Sequence, residues 1–382
     1  MLPFTYAVRN LFRDPSRLLQ TVGGSALVVL LLTAAVAFNE GMDRVLSASG
    51  SPKNVMLVGK GSEESIERSE VPLAAESAAK TSIPGLASQL NTPAVSGEII
   101  FQAPITPPSG ESKQGQMRGV LPVALLVHPE VVLLEGHFPG PGEVMVGKLA
   151  PRKLGLAEEA LALGEMLVIG EQEFRISGRF AAPGTVLESE FWLDRNDLAT
   201  LMQRDSLSAV YVRLSDGEPE DVEVFAFQRN DLELSSIRED IYYDKLSRFY
   251  GPIKGMTWLT AALVAAGALF GGINTLYAAF ASRIREMATL QAIGYTRGAL
   301  LVSLIQESLL ATLTGTLLAM VAALLLLEGR TIAFSMGAFE LSLSPAVVLT
   351  GLVTGALLGT VGTLPPAIRT LAPALPKALR SN

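Results

Sequence analysis

The chain has 382 residues, 49% apolar, 18% charged and 6% aromatic, with no cysteine and a formal net charge of −7. A soluble globular protein carries about 25% charged residues, and here the shortfall is concentrated in four apolar stretches around one long polar segment and two short connections. This pattern excludes an ordinary soluble enzyme, a disordered chain and a fibrous one. The acidic balance argues against nucleic acid, and the lack of thiols removes disulfide frameworks, thiolate metal sites and thiol nucleophiles.

Residues 1–17 form a short basic N-terminal segment with Arg9, Arg13 and Arg17, followed by a first transmembrane helix over 18–38. Ala35-Val36-Ala37 has the small-x-small form of a signal-peptide cleavage site. The apolar run exceeds the 7–15 residues typical of such peptides and three further spans follow, so the reading is an uncleaved span.

The polar segment 39–254 is long enough for a folded α+β domain, in one or two lobes. Asn39–Ser49 continues the first span with Met42, Val45 and Leu46 on one face, and Ser235–Tyr250 approaches the second with Ile237, Ile241 and Phe249 at helical spacing. Both are expected to be stalks that carry the domain, with an amphipathic surface helix as the alternative. Gly59–Ser96 and Ala103–Gln116, rich in Ser, Ala, Pro and Gly, are read as loops or inserts. Strands are expected at Glu143–Val146, Met166–Ile169, Glu173–Phe180, Glu190–Leu193 and Ala209–Leu214, with a hairpin turn at Gly170-Glu171-Gln172. Lys148–Leu154 and Asp194–Met202 are expected helices, with Asp194 placed to cap the latter.

No catalytic constellation emerges from this segment. Gly142–Lys148 matches the first seven positions of a phosphate-binding loop, but the eighth is Leu149, where magnesium binding needs a hydroxyl, and a strand lies between the glycines rather than before them. His128 and His137, the two histidines, lack ligand spacing and read as loop residues. Glu63-Glu64 and Glu158-Glu159 read as solvated charges, and no serine sits in a GxSxG elbow.

The second span is 256–280, the third 300–327 and the fourth 345–364, with connections 281–299 and 328–344 and a tail 365–382. Arg9, Arg13, Arg17, Arg283, Arg285, Arg297, Arg369, Lys377 and Arg380 lie on one side, against Arg330 in the short loop on the other. By the positive-inside rule both termini and the 281–299 loop are cytoplasmic, and 39–254 and 328–344 face outward. Gly267 and Gly271 in the second span, and Gly351, Gly355 and Gly359 in the fourth, recur at i, i+4 and are candidates for close helix packing within the bundle or a dimer. Glu307 is the one charged side chain inside the spans, read as interfacial or paired with a cytoplasmic arginine; ion-coupled transport needs more than this.

The loop Ser282–Arg297 carries Ile284, Met287, Ala288, Leu290 and Ile293 as an apolar stripe, Arg283, Arg285 and Glu286 as a charged face, and Gly294 as a terminator. Such a helix either lies on the membrane or docks into a partner. Its pattern, R-x-x-E-hydrophobic-x-x-L-x-A-hydrophobic-G-x-[ST], resembles the signature of FtsX/MacB/LolC-type ABC transporter permeases. Ala7–Leu11, Gly142–Gly147 with the later strands, Gln306–Leu310 and Pro366-Ala367-x-Arg369 are similar to further family patterns, covering essentially the whole chain apart from 50–118.

The resemblance implies an α-helical membrane protein with four transmembrane helices and a MacB-like periplasmic core domain between the first and second. It implies a permease in the cell inner membrane that is not itself an enzyme. The coupling helix would contain Arg283, Arg285, Glu286, Met287, Leu290, Ile293, Gly294 and Arg297, seated in a separate cytoplasmic ATPase. That partner would bind ATP and magnesium, this chain holding no cofactor. Further implied partners are a second permease chain, identical or not, membrane lipid and a periplasmic adaptor. The expected function is export or extraction of a lipid, lipoprotein or peptide. The alternatives are FtsX-like mechanotransmission to an outer partner such as a cell-wall hydrolase, or a membrane-anchored receptor or scaffold.

Overall fold

The computed structural model describes residues 3–107 and 110–379. Arg380, counted in the charge asymmetry, and the Lys377 side chain lie outside the described residues. The chain divides into two units, Met1–Glu40 with Pro252–Arg330 and Leu341–Asn382, and Gly41–Gly251 with Thr331–Glu340.

The first unit is helical. After α1 (Phe4–Leu11), α2 (Pro15–Ser49) starts on a carboxylate and a proline: Asp14 accepts a hydrogen bond from the Arg17 amide at 3.2 Å, and Pro15 takes the first helical position. Next come α9 (Gly251–Ala281), α10 (Ile284–Ala292) and α11 (Arg297–Leu326), the last capped by Thr296, which accepts from the Ala299 amide at 3.2 Å. Ser344 caps α12 (Pro345–Val361) in the same way, and Pro365 and Pro366, lacking N–H groups, start α13 (Leu364–Leu371) after a break at Gly362 and Thr363. Among the described residues four helices are long and apolar enough to cross a membrane: Pro15–Ser49, Gly251–Ala281, Arg297–Leu326 and Pro345–Leu371. They overlie the expected spans, the third ending one residue before the expected 327, and the first continues without a break through the expected stalk 39–49.

The two glycine sets behave differently. Gly351, Gly355 and Gly359 are buried; a methyl group on Gly351 would collide with Met320, one on Gly355 with Thr316 and one on Gly359 with Thr312 and the α11 backbone at Leu309. Gly315 of α11 is equally tight against Ser25 and Val22 of α2, a contact its solitary position in the sequence concealed. By contrast, nothing lies within 4 Å of a methyl on Gly267 or Gly271. These two do not pack against another helix of this chain, so the bundle half of their expected role is corrected.

The second unit is built on ten strands: β1 (Asn54–Gly59), β2 (Val95–Thr106), β3 (Lys113–Val120), β4 (Val132–Gly136), β5 (Glu143–Gly147), β6 (Met166–Ile169), β7 (Gln172–Ala181), β8 (Glu190–Asp194), β9 (Ala209–Arg213) and β10 (Leu234–Arg238). Their order is β10-β1-β9-β2-β3-β8-β5-β7-β4, with β6 bridging β7 and β2. That bridge closes β2, β3, β8, β5, β7 and β6 into a six-stranded ring. The twelve-residue β2 serves both parts: Val95–Glu98 pairs with β9 in the open sheet, and Ile99–Thr106 belongs to the ring. Two parallel pairs, β3 with β8 and β5 with β7, stand among antiparallel ones.

Short helices α3 (Ala74–Ser82), α4 (Ala124–Val127), α5 (Ala150–Lys153), α6 (Arg195–Leu201) and α7 (Pro219–Gln228) lie on this framework, and α8 (Glu239–Phe249) leaves it. The core joins Val55, Leu57, Val95, Ile99, Phe174, Phe191 and Val210. Asp194 caps α6 as expected, and Gly170, at φ +62°, turns the β6–β7 hairpin. Residues 331–340 form a hairpin, β11 (Thr331–Phe334) and β12 (Gly337–Glu340), that belongs to this unit. Glu340 accepts from Arg152 at 2.6 Å, the Ser335 carbonyl accepts from Gln102 at 3.0 Å, and Phe339 packs over Gly41.

Three expectations fail. The helical stalk expected from Ser235 begins only at Glu239, since Ser235–Arg238 belong to β10. The segments read as loops contain α3 and half of β2 and of β3, because pairing of these strands with each other and with distant β8 and β9 overrides a Ser/Ala/Pro/Gly composition. His128, read as a loop residue, is fully buried: Nε2 lies 3.0 Å from Glu98 Oε1, whose other oxygen accepts from Arg118 at 2.6 Å. Arg118 also donates twice to Glu190, at 2.7 and 2.8 Å, and Trp192 donates to the same carboxylate at 3.0 Å. His137 is a loop residue as expected, its side chain 63% exposed.

Candidate functional site

The segment Ser282–Arg297 folds around an amphipathic helix, α10. The α10 C-terminus closes with two crossed bonds, the Tyr295 amide to the Leu290 carbonyl at 3.1 Å and the Gly294 amide to the Gln291 carbonyl at 3.0 Å. Gly294 sits at φ +109°, where a side chain would be strained, so glycine ends the helix and turns the chain toward α11.

Apart from Ile293, the stripe faces the chain's own helices. Met287 and Ala288 are buried, and with partly buried Leu290 and Tyr295 they pack on Leu276, Phe280, Leu300, Leu304, Ala367 and Leu371. Met287 therefore holds α10 in place and is withdrawn as a docking contact. The opposite face is open: Arg285, Thr289, Ile293 and Arg297 are exposed, Ile293 by 71%. A large apolar side chain that exposed, between two arginines in an ordered loop, is the feature of this helix best suited to a partner.

The inward polar residues lock α10 to three other helices. Glu307 of α11 accepts from Arg17 of α2 at 2.7 Å and from Arg283 at 2.9 and 3.1 Å, realising the arginine pairing expected for it. Glu286 accepts from the Tyr6 hydroxyl at 2.8 Å, Arg13 at 3.2 Å and Arg283 at 3.3 Å. Burial works against the Arg283 charge, but Glu307 and Glu286 outweigh it and raise its pKa above the usual value. Burial likewise pushes the Glu286 carboxyl up, and the Tyr6 hydroxyl and Arg283 more than reverse it. Arg17 also lies over the Phe280 ring, 5.6 Å from its centre. Displacing α10 therefore requires breaking the Glu286 bonds to Tyr6 of α1 and to Arg13, together with the Arg283 ion pair to Glu307 of α11, a carboxylate that Arg17 of α2 shares.

Arg283, Glu286, Met287 and Leu290 are thus the inward half of the expected set, Arg285, Ile293 and Arg297 the outward half, and Gly294 the terminator. The sequence reading missed Tyr6, Arg13 and Arg17 as partners. Their signal was the pairing of basic and acidic residues on either side of two separate spans, which spacing within one segment does not reveal.

Comparison with known families matches residues 18–224 to the MacB-like periplasmic core domain and residues 258–373 to the FtsX-like permease C-terminal region. The chain belongs to the FtsX/MacB-type ABC permeases. No curated protein matches it. Among solved structures, the periplasmic region of MacB from Actinobacillus actinomycetemcomitans is similar at 10% identity and TM-score 0.39, covering 52% of this chain and 94% of that one. The extracellular domain of the ABC-type transporter YknZ from Gram-positive bacteria is similar at 16% identity and TM-score 0.36, covering 48% and 99%. A permease-protein domain from Porphyromonas gingivalis is similar at 16% identity and TM-score 0.35, covering 48% and 88%. This FtsX/MacB-type permease is accordingly a multi-pass membrane protein with a large periplasmic-type domain.

Proposed function

We propose that this permease is the membrane subunit of an ABC transporter powered by a separate cytoplasmic ATPase, and that α10 is the contact through which work enters it. The observation that carries the reading is the division of this loop into an ion-paired inner side and an open outer side, with Arg285 on α10, Ile293 at its end and Arg297 at the start of α11. A partner seated on the outer face acts on α1, α2 and α11 through rigid contacts, and α2 runs unbroken from Pro15 to Ser49. In this reading both termini and 281–299 face the cytoplasm, and the ten-strand unit faces the opposite side of the membrane. The work is delivered to an extracytoplasmic substrate, a lipid, lipoprotein or peptide.

The test is co-expression with candidate ABC ATPases from the same organism. Ile293→Asp and Arg285→Glu should each weaken the complex about ten-fold and abolish permease-dependent stimulation of ATP hydrolysis, while the permease keeps its thermal midpoint. Undiminished stimulation in both variants would overturn the assignment. Thr289→Cys, the only thiol in the chain, should react with an impermeant maleimide in inverted vesicles and not in right-side-out ones.

A further inference from the structure

Within the helical unit, α2, α9, α11 and α12 line a partly open cavity of about 280 Å³. Its walls are mainly apolar, with Val28, Gly271, Leu276 and Leu358 among them. Most of the hydroxyls that reach it are already engaged: Ser25, Thr275 and Thr312 donate to carbonyls of their own helices at 2.7, 3.0 and 3.2 Å. Ser308 is different. It is 3% exposed, it lines the cavity, and its Oγ has no hydrogen-bond partner among the described residues. A buried hydroxyl left unpaired costs about 1–3 kcal/mol, so the site favours an occupant that can accept or donate there.

Depth restricts what that occupant is. Glu307 is bonded to Arg17, immediately before the apolar run that begins at Leu18. From Ser308 to Leu326, α11 rises about 28 Å at ~1.5 Å per residue, close to the ~30 Å hydrocarbon thickness. Ser308 therefore lies inside the expected span 300–327 but directly beside the Arg17–Glu307 ion pair, where the polar ester end of a lipid can reach it. A smaller recess, lined by Arg17, Glu307, Thr21, Leu276 and Ser308, adjoins the cavity there. Size sharpens the choice. An apolar cavity of about 150 Å³ holds benzene, so this one admits a length of alkyl chain, whereas a helix about 10 Å across does not fit.

We propose that this cavity is a binding site for one acyl chain of a membrane phospholipid, whose ester carbonyl accepts a hydrogen bond from Ser308 Oγ. The chain enters past α9, which is largely uncovered along its length. Bound lipid holds α9 against α2 and α11, where Gly271 leaves room that no side chain of this protein fills. The site lies inside a single chain and does not depend on ATPase docking.

The full-length permease, reconstituted in nanodiscs with a phosphatidylcholine carrying a diazirine midway along one acyl chain, should give photo-adducts on Val28, Leu276 and Thr312. Their yield should exceed that on the lipid-facing Leu317 and Leu325. Gly271→Leu, whose side chain enters the cavity, should lower the cavity adducts at least five-fold. Gly267→Leu, one turn away in open space and outside the cavity lining, should leave them unchanged. Ser308→Ala, which leaves the cavity open, should reduce the phospholipid retained per chain in native mass spectrometry at least three-fold. Cavity adducts no stronger than those on Leu317 and Leu325, or unaffected by both Gly271→Leu and Ser308→Ala, would overturn the proposal. So would a Gly271→Cys disulfide between two chains that removes the adducts, since a second copy would then fill the space.

Discussion

Glu307 is 2% exposed and answers two guanidiniums. Removing the acceptor from such a cluster leaves positive charge in a poorly solvated place, and breaking a buried pair typically costs about 3–5 kcal/mol. Glu307→Gln should therefore lower the thermal midpoint of the purified permease and loosen α10, seen as faster hydrogen exchange at Met287 and Ala288. An unchanged midpoint and exchange rate would show the cluster to be decorative.

In the outer unit, burial opposes the Glu98 charge, but His128 and Arg118 outweigh it and hold the carboxyl down to about 2. Its stabilisation is complete above the ordinary 4.5 and is lost as pH falls from there toward 2. His128, opposed by burial but pushed up to about 10 by Glu98 and Glu130, stabilises fully below 6.5 and progressively less as pH rises through 10. Glu239, at the start of α8, accepts from the Ser51 amide at 3.0 Å and Asn54 at 2.9 Å; burial pushes it up to about 7. Its contribution is full below 4.5 and disappears as pH rises through 7. Thermal midpoints of the whole protein should fall on the acid side of 4.5 and decline from 4.5 upward. Glu239→Gln should flatten the decline between pH 5 and 7 while leaving the acid limb intact. A variant with the wild-type slope over that interval would refute the assignment to Glu239.

At the scale of elements, legibility followed locality. Strands β5 to β9 were readable because alternation and turn glycines lie within a few residues of each other, as at Gly170. Residues 59–116 were not, because β2 contains Gly97 and Pro104 and draws its pairing from β9, more than 100 positions on. Glu98 and Arg118 carried a faint signal, a single charge within a strand-forming run, but their joint role with His128 exists only after three elements meet. The α10 helix was legible as an amphipathic segment, whereas the choice of buried face was not: the apolar stripe suits a partner's groove as well as the protein's own helices. Gly294 offers a clean check on this element. Gly294→Ala must hold a φ that costs an L-residue roughly 1–2 kcal/mol, so circular dichroism should change little while coupling to the ATPase weakens. Full activity in that variant would mean that the α10 terminus need not be fixed.

Over the whole molecule, the four spans and the inserted domain followed from hydropathy, but the membership of residues 331–340 in the outer unit did not. A four-residue strand pair gives almost no periodic signal, and its attachment is made by scattered residues, among them Arg152, Gln102, Gly41 and Tyr250. Phe339 is 4% exposed, and truncating a buried phenylalanine costs about 3–5 kcal/mol. Phe339→Ala should raise protease sensitivity within residues 331–340 and lower the cooperativity of melting, measured by limited digestion and calorimetry. Wild-type digestion would mean that the hairpin is not anchored there.

Strand β2 has a consequence for movement. One continuous length of backbone is at once the rim of an open sheet and a stave of a closed barrel, so these halves share hydrogen bonds instead of a flexible joint. Jaw-like opening between them would tear a ladder at its middle. Force applied to the sheet should therefore carry the barrel with it as one stiff body, and a crosslink between sheet and barrel should leave activity undiminished.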